Sequence, residues 1–177
     1  MKRLLFLLFI PISIYSQNDL SSIIQTYLDD NKSRYSLLDS DIEEFNINNE
    51  IGSKTMDMTI LYINQMYNGI KIHNAISTIS IKDNEVFYYS NNFLKNISQK
   101  INTTSPIISP KDAIINVINH YDLGSFTNLR QTSDEDNSFV FSSGGVSQHY
   151  IPVKLTYFNN SENLINAVER IRIEYQK

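Results

Sequence analysis

An Asn68-Gly69 pair stands between two apolar stretches, Thr59-Ile60-Leu61-Tyr62-Ile63-Asn64-Gln65-Met66-Tyr67 and Ile70-Lys71-Ile72-His73-Asn74-Ala75-Ile76. Both central positions of a two-residue hairpin turn need φ > 0, which Asn and Gly accept at low cost, so the pattern specifies a β-hairpin. An interrupted buried helix is the competing assignment, and it fails on the Asn-Gly placement and the β-branched enrichment. Residues 86–90 form a third strand signal after a Lys82-Asp83-Asn84-Glu85 turn, so the three strands are expected to make an antiparallel meander.

Helical signals flank this meander. Leu20, Ile23, Ile24, Tyr27 and Leu28 fall on one apolar stripe. Asn18 or Asp19 is the expected cap and Asp30-Asn31 the expected end. In the polar stretch 32–58, Ile42, Phe45 and Ile47 predict one short strand. Residues 91–108 are rich in Asn, Ser and Thr around Pro106, and a linker is placed at 96–108. A second helix opens with Ser109 as N-cap, Pro110 at its first position and Asp112 completing the cap. Ile114, Val117, Ile118 and Tyr121 are its expected apolar face, and Gly124 its stop. Extended stretches are predicted at 126–130, 138–141, 148–157 and 164–175, with turns at Gly144-Gly145 and Asn159-Asn160. The fold class is α+β: two small helix-plus-antiparallel-sheet modules, at 17–95 and 109–177.

The start of the chain sets the compartment. Met1-Lys2-Arg3 is followed by the apolar run Leu4-Leu5-Phe6-Leu7-Leu8-Phe9-Ile10, and Ser16 precedes Gln17. This is the layout of a signal peptide over residues 1–16. The run is well short of the roughly 20 residues that a membrane span needs. A secreted or extracellular protein is expected, by periplasmic transit in a Gram-negative host, with no membrane association after signal cleavage. With Cys 0, a disulfide scaffold, a thiol nucleophile and cysteine zinc sites are excluded. The net charge is −4 and the basic residues are scattered, so nucleic acid is not an expected partner.

Catalytic constellations are missing from the sequence. His73, His120 and His149 lie far apart, and none belongs to a His-Glu-x-x-His motif. His73 and His149 are expected in strands and His120 on an exposed helix face. There is no Gly-x-Ser-x-Gly elbow, and Gly144-Gly145 lacks the Lys and helix of a phosphate loop. The acidic runs at 39–44 and 134–137 match no EF-hand pattern and are expected to be solvated turns. Asn31-Lys32-Ser33, Asn96-Ile97-Ser98 and Asn102-Thr103-Thr104 fit the glycosylation sequon, as chance allows in an Asn-rich chain.

Residues 62–75, with the apolar strand ending in Gln65, then Asn68-Gly69, then Asn74-Ala75, resemble the core of the fungalysin/thermolysin propeptide domain. Val86-Phe87-Tyr88-Tyr89-Ser90 and Asn91-Asn92-Phe93 resemble the next strand and its tail, in the form typical of the fungalysin branch. Ser109-Pro110-Lys111-Asp112-Ala113, Tyr150-Ile151-Pro152-Val153-Lys154-Leu155 and the stretch 167–173 are similar to PepSY modules, although the Trp usual in that last strand is absent.

The resemblance implies a non-catalytic pro-region that acts as intramolecular chaperone and inhibitor of a secreted zinc metalloendopeptidase. The implied partner is the cognate metallopeptidase domain in cis. No cofactor is expected in this chain, and zinc belongs only to the peptidase domain. The second module is expected to be truncated at Lys177. Gln65, Asn68, Gly69, Asn74 and Ala75 are the candidate partner-contact and family-motif positions. The strand after Gly69 is a candidate for β-augmentation onto the peptidase. The alternative is a free-standing secreted binding module or protease inhibitor.

Overall fold

A computed structural model describes residues 20–135, 137–159 and 164–171, the last segment as backbone alone. The signal peptide at 1–16, the Asn18 or Asp19 cap, Asn160 and the end of the last extended stretch lie outside the described residues. In chain order the elements are α1 (Leu20–Tyr35), α2 (Asp39–Ile42), β1 (Phe45–Ser53), β2 (Met58–Tyr67), β3 (Ile70–Lys82), β4 (Glu85–Ser90), α3 (Ile97–Lys100), α4 (Pro110–His120), β5 (Gln131–Glu135), β6 (Ser138–Phe141), β7 (Ile151–Asn159) and β8 (Leu164–Ile171).

The apolar stripe of α1 buries Ile24 and Leu28. The helix does not stop at Asp30-Asn31, because the Asn31 side-chain amide donates to the Tyr27 carbonyl at 2.9 Å and stays with the helix. It ends where Ser36 turns left-handed, with φ of 57°. There the Ser36 and Leu37 N–H groups donate to the Ser33 and Lys32 carbonyls, the Schellman pattern. In α4 the Ser109 hydroxyl accepts the Asp112 N–H at 3.1 Å, as the sequence predicts. Its stop is Asp122 at φ 51°, not Gly124. Leu123 N–H reaches the Ile118 carbonyl at 3.0 Å to close the same motif. Tyr121 is 67% exposed rather than in the core. Ala113 is buried in its stead, and Ile115 packs partly buried. A non-Gly residue in the left-handed region is strained, so Asp122→Gly is expected to stabilise the chain by about 0.5–1 kcal/mol in urea unfolding.

The hairpin forms as predicted, with Asn68 at φ 48° and Gly69 at φ 71°. Asp83 and Asn84 repeat the arrangement between β3 and β4, also with positive φ. The strand path is β1-β2-β3-β7-β6-β5, with β4 on β3 and β8 on β7. The strand after Gly69 is therefore interior, flanked by β2 on one side and by β4 and β7 on the other, and offers no free edge for β-augmentation. Several local expectations are revised. Ile42 ends a helical turn rather than joining a strand. The stretch 126–130 is held by scattered bonds to the Gly144 turn, such as Thr127 N–H to Gly144 O at 2.7 Å, and the strand starts at Gln131. His149 lies in a bend ahead of β7, not in the strand. Within 96–108, the α3 turn buries Ile97 completely.

Three clusters make the core. Ile24 and Leu28 of α1 pack on Leu61, Ile63, Ile79 and Ile81 of β2 and β3. Ile114 and Ile118 of α4 pack on Phe141, Ile151 and Val153. Between them Ile70, Ile72, Ala75 and Ile97 meet Leu155 and Tyr157, so the two halves share one cluster. Ile72 and Tyr157 are also the paired residues of the parallel β3–β7 contact and thus point to the same face. It follows that α1, α3 and α4 all cover one side of the sheet.

Two tyrosines in these clusters give testable signs. The Tyr157 hydroxyl is buried and has no hydrogen-bond partner among the described residues. An unsatisfied buried hydroxyl is costly, so Tyr157→Phe is expected to leave the melting temperature unchanged or to raise it. Tyr89 lies edge-on to Tyr27 and Tyr35, with ring centroids 5.4 and 5.1 Å away. Burial, chiefly, pushes its pKa up to about 12. The folded state therefore holds a proton that the unfolded state releases near the ordinary value of about 10. This stability is present below that value and is lost as pH rises through 12. Base titration of unfolding should show the loss over that window, and Tyr89→Phe should weaken its pH dependence.

Candidate functional site

The hairpin that carries the motif positions is not a plain one. β2 and β3 stay in register from Thr59↔Ile81 to Asn64↔Ile76, then resume at Met66↔Lys71. Four residues of β3, 72 to 75, thus face Gln65 alone, and Asn74 absorbs the excess with φ of 60°. Asn64 fills the bulge, its amide donating to the Ile72 carbonyl at 2.9 Å and the Gln65 carbonyl at 3.1 Å.

Gln65 points the other way and is fully buried. Its Nε2 donates to the carbonyls of Asp41 (2.8 Å) and Leu94 (2.9 Å), and its Oε1 accepts the Leu94 N–H at 2.8 Å. Beside it, the Asp41 carboxylate accepts three backbone N–H groups: Leu38 and Asn96 on one oxygen, each at 2.9 Å, and Ile97 on the other at 2.8 Å. Asp41 is completely buried, so the run 39–44 is not simply a solvated turn. Glu44 is also tied to the hairpin, at its surface, its Oε2 accepting the Gly69 N–H at 2.7 Å. The result is a polar clasp that fastens α2, the hairpin and the start of α3 together. A carboxylate that accepts three N–H groups needs no cation nearby, since charged acceptors make the stronger hydrogen bonds.

The five candidate positions separate on this geometry. Gln65 and Ala75 are buried and committed to the interior, so neither side chain is placed to touch a partner. Asn68, Gly69 and Asn74 are exposed at the turn and the bulge. Asp41, Asn64 and Glu44 were not singled out from the sequence. Their only sequence signals are an acidic residue three after Leu38 and a polar residue breaking an apolar strand. The three histidines stay apart. His73 stacks on Phe158 with centroids 5.7 Å apart, and His120 meets Tyr121 edge-on at 4.8 Å. His149 is exposed. Among the described residues no group of three His, Asp or Glu is placed to hold a metal ion. None of their helices is long and apolar enough to cross a membrane.

A bulged hairpin whose polar residues are bonded inward defines a shape rather than a reactive centre, in an α+β module. Residues 43–93 match the family described as the Fungalysin/Thermolysin Propeptide Motif, which is a propeptide and not a catalytic domain. The match spans β1 to β4 and closes at Phe93, which is buried against α1 in the first cluster. No curated protein matches the chain.

Proposed function

We propose that the chain is the non-catalytic pro-region of a secreted, fungalysin-type zinc metalloendopeptidase, and that it acts in cis as chaperone and inhibitor of the catalytic domain. The observation that carries this is the propeptide-motif match over 43–93, laid on a sheet clasped by Gln65 and Asp41. A large secreted peptidase has slow non-local contacts to make, and a preformed surface that binds only its native state favours that state by mass action. Residues 1–16 direct export, and the half from Ser109 onward is a PepSY-like companion module that extends the same sheet. Zinc chemistry belongs to the catalytic domain. Sequencing the gene past the codon for Lys177 tests this: an in-frame His-Glu-x-x-His is expected. A stop codon there would leave a free-standing inhibitor instead.

A further inference from the structure

Residues 102–109, between α3 and α4, belong to no helix or strand. Ile101 at the near end packs on the shared cluster, and Ser109 at the far end caps α4. Residues 104–109 are exposed without interruption. The Thr103 hydroxyl joins Thr103 to Ser105, but Pro106, Ile107 and Ile108 take part in none of the hydrogen bonds found among the described residues. Ile107 is 85% exposed and Ile108 47%, so two adjacent aliphatic side chains stand in water and serve no core. Other exposed apolar residues are held differently. Phe87 lies in β4, which is paired with β3, and the Tyr121 N–H is bonded to the Val117 carbonyl at 3.1 Å.

An endopeptidase takes its substrate as an extended strand, pairing with open backbone groups and drawing a side chain into a pocket. An exposed stretch without hydrogen bonds supplies that strand at little cost in local unfolding. From Ile101 to Pro110 there is no charged residue, so a pocket for a basic or acidic side chain finds no anchor there, whereas an aliphatic pocket does. Ile107–Ile108 is the one bond of this stretch with an aliphatic residue on each side.

We propose that the Ile107–Ile108 peptide bond is a processing site, cut by an endopeptidase with an aliphatic side-chain pocket, and that the cut chain stays together as two fragments. Water adds across the C–N bond, leaving a carboxylate on Ile107 and an amino group on Ile108, and no other reactant is needed. The fragments meet in the shared cluster, where Ile72 and Ile97 of the first pack with Leu155 and Tyr157 of the second. Across the same seam the Thr156 hydroxyl donates to the Lys71 carbonyl at 2.8 Å, and the Asn137 amide to the Gly69 carbonyl at 2.9 Å. The new amino group on Ile108, when protonated, sits one residue before the Ser109 cap, where the positive end of the α4 dipole opposes it. The cut therefore weakens the helix that covers the second core. The site stands on accessibility and side-chain chemistry, and it holds whatever domain the chain serves.

Brief digestion of the full chain with thermolysin, which cuts before aliphatic residues, tests the site, with the fragments read by intact mass. The first cut between residues 20 and 159 is expected at Ile107–Ile108, and the two fragments are expected to elute together in size exclusion. The double variant Ile107→Asp with Ile108→Asp changes two exposed side chains, so its melting temperature should be no lower than that of the wild type. Its cutting at this bond should slow by at least about tenfold. Chain recovered from cultures of the source organism is expected to include a fragment that begins at Ile108. A first cut elsewhere, an unchanged rate in the double variant, or no Ile108 terminus in the recovered chain would each overturn the processing site. Fragments that separate as soon as they form would overturn the two-fragment state.

Discussion

Replacing Asp41 by Ala is expected to cost about 3–5 kcal/mol of stability, enough to unfold a marginal chain at 37 °C. The carboxylate accepts N–H groups of Leu38, Asn96 and Ile97 at 2.8 to 2.9 Å in a fully buried position. Truncation strips the acceptor from the buried Ile97 N–H and from the part-buried N–H groups of Leu38 and Asn96. The Gln65 bond to the Asp41 carbonyl is backbone-directed and survives the substitution, so the loss reports the carboxylate itself. Asp41→Asn keeps the shape and one acceptor, and should cost less than Ala but still more than about 1 kcal/mol. Urea unfolding measures both. A loss below about 1 kcal/mol for Asp41→Ala would mean that water replaces the carboxylate, and that the clasp is not what fixes residues 94–97 against the hairpin.

Replacing Ile72 by Ala is expected to cost about 2–4 kcal/mol, and to loosen one half of the molecule more than the other. Ile72 is fully buried in the only cluster among the described residues that both halves share, packed with Leu155 and Tyr157. It also pairs with Tyr157 across the seam. The first half keeps its own core under α1 when this contact weakens, whereas β6 and β7 keep only the α4 cluster. Hydrogen exchange of Ile72→Ala should therefore show β6 and β7 amides losing protection before those of β2. Leu61→Ala, a comparable cavity inside the first core, is expected to lower protection mainly in β2 and β3. Equal loss in both halves for Ile72→Ala would show that the seam does not separate two cooperative units.

Local patterning made much of this fold legible. Asn68-Gly69, the Ser109-Pro110 cap and the α1 stripe each specify structure over a few residues, and each is found where the pattern places it. The helix ends were less legible, because Ser36 and Asp122 occupy left-handed positions where the rule favours Gly, and this chain has only 5 Gly to use. The clasp was hidden for a different reason. Asp41 meets Asn96 and Ile97 across more than 50 residues of chain, as the separations of 55 and 56 show, and no periodicity encodes such a contact. Gln65 looked like a motif residue available to a partner, but burial and three internal bonds make it part of the scaffold. The position of the strand after Gly69 inside the sheet likewise depends on β7, more than 80 residues later, whose Thr156 bonds the Lys71 carbonyl at a separation of 85.

The central claim is that this chain prepares and restrains a fungalysin-type zinc peptidase, and refolding tests it most directly. The denatured catalytic domain would be diluted into buffer with zinc, with and without an equimolar amount of the mature chain. Activity would be read after the chain is removed. The account predicts that recovery of active peptidase rises severalfold with the chain present, while activity is suppressed until the chain is removed. Recovery equal to that with an inert protein, together with undiminished activity in its presence, would contradict it.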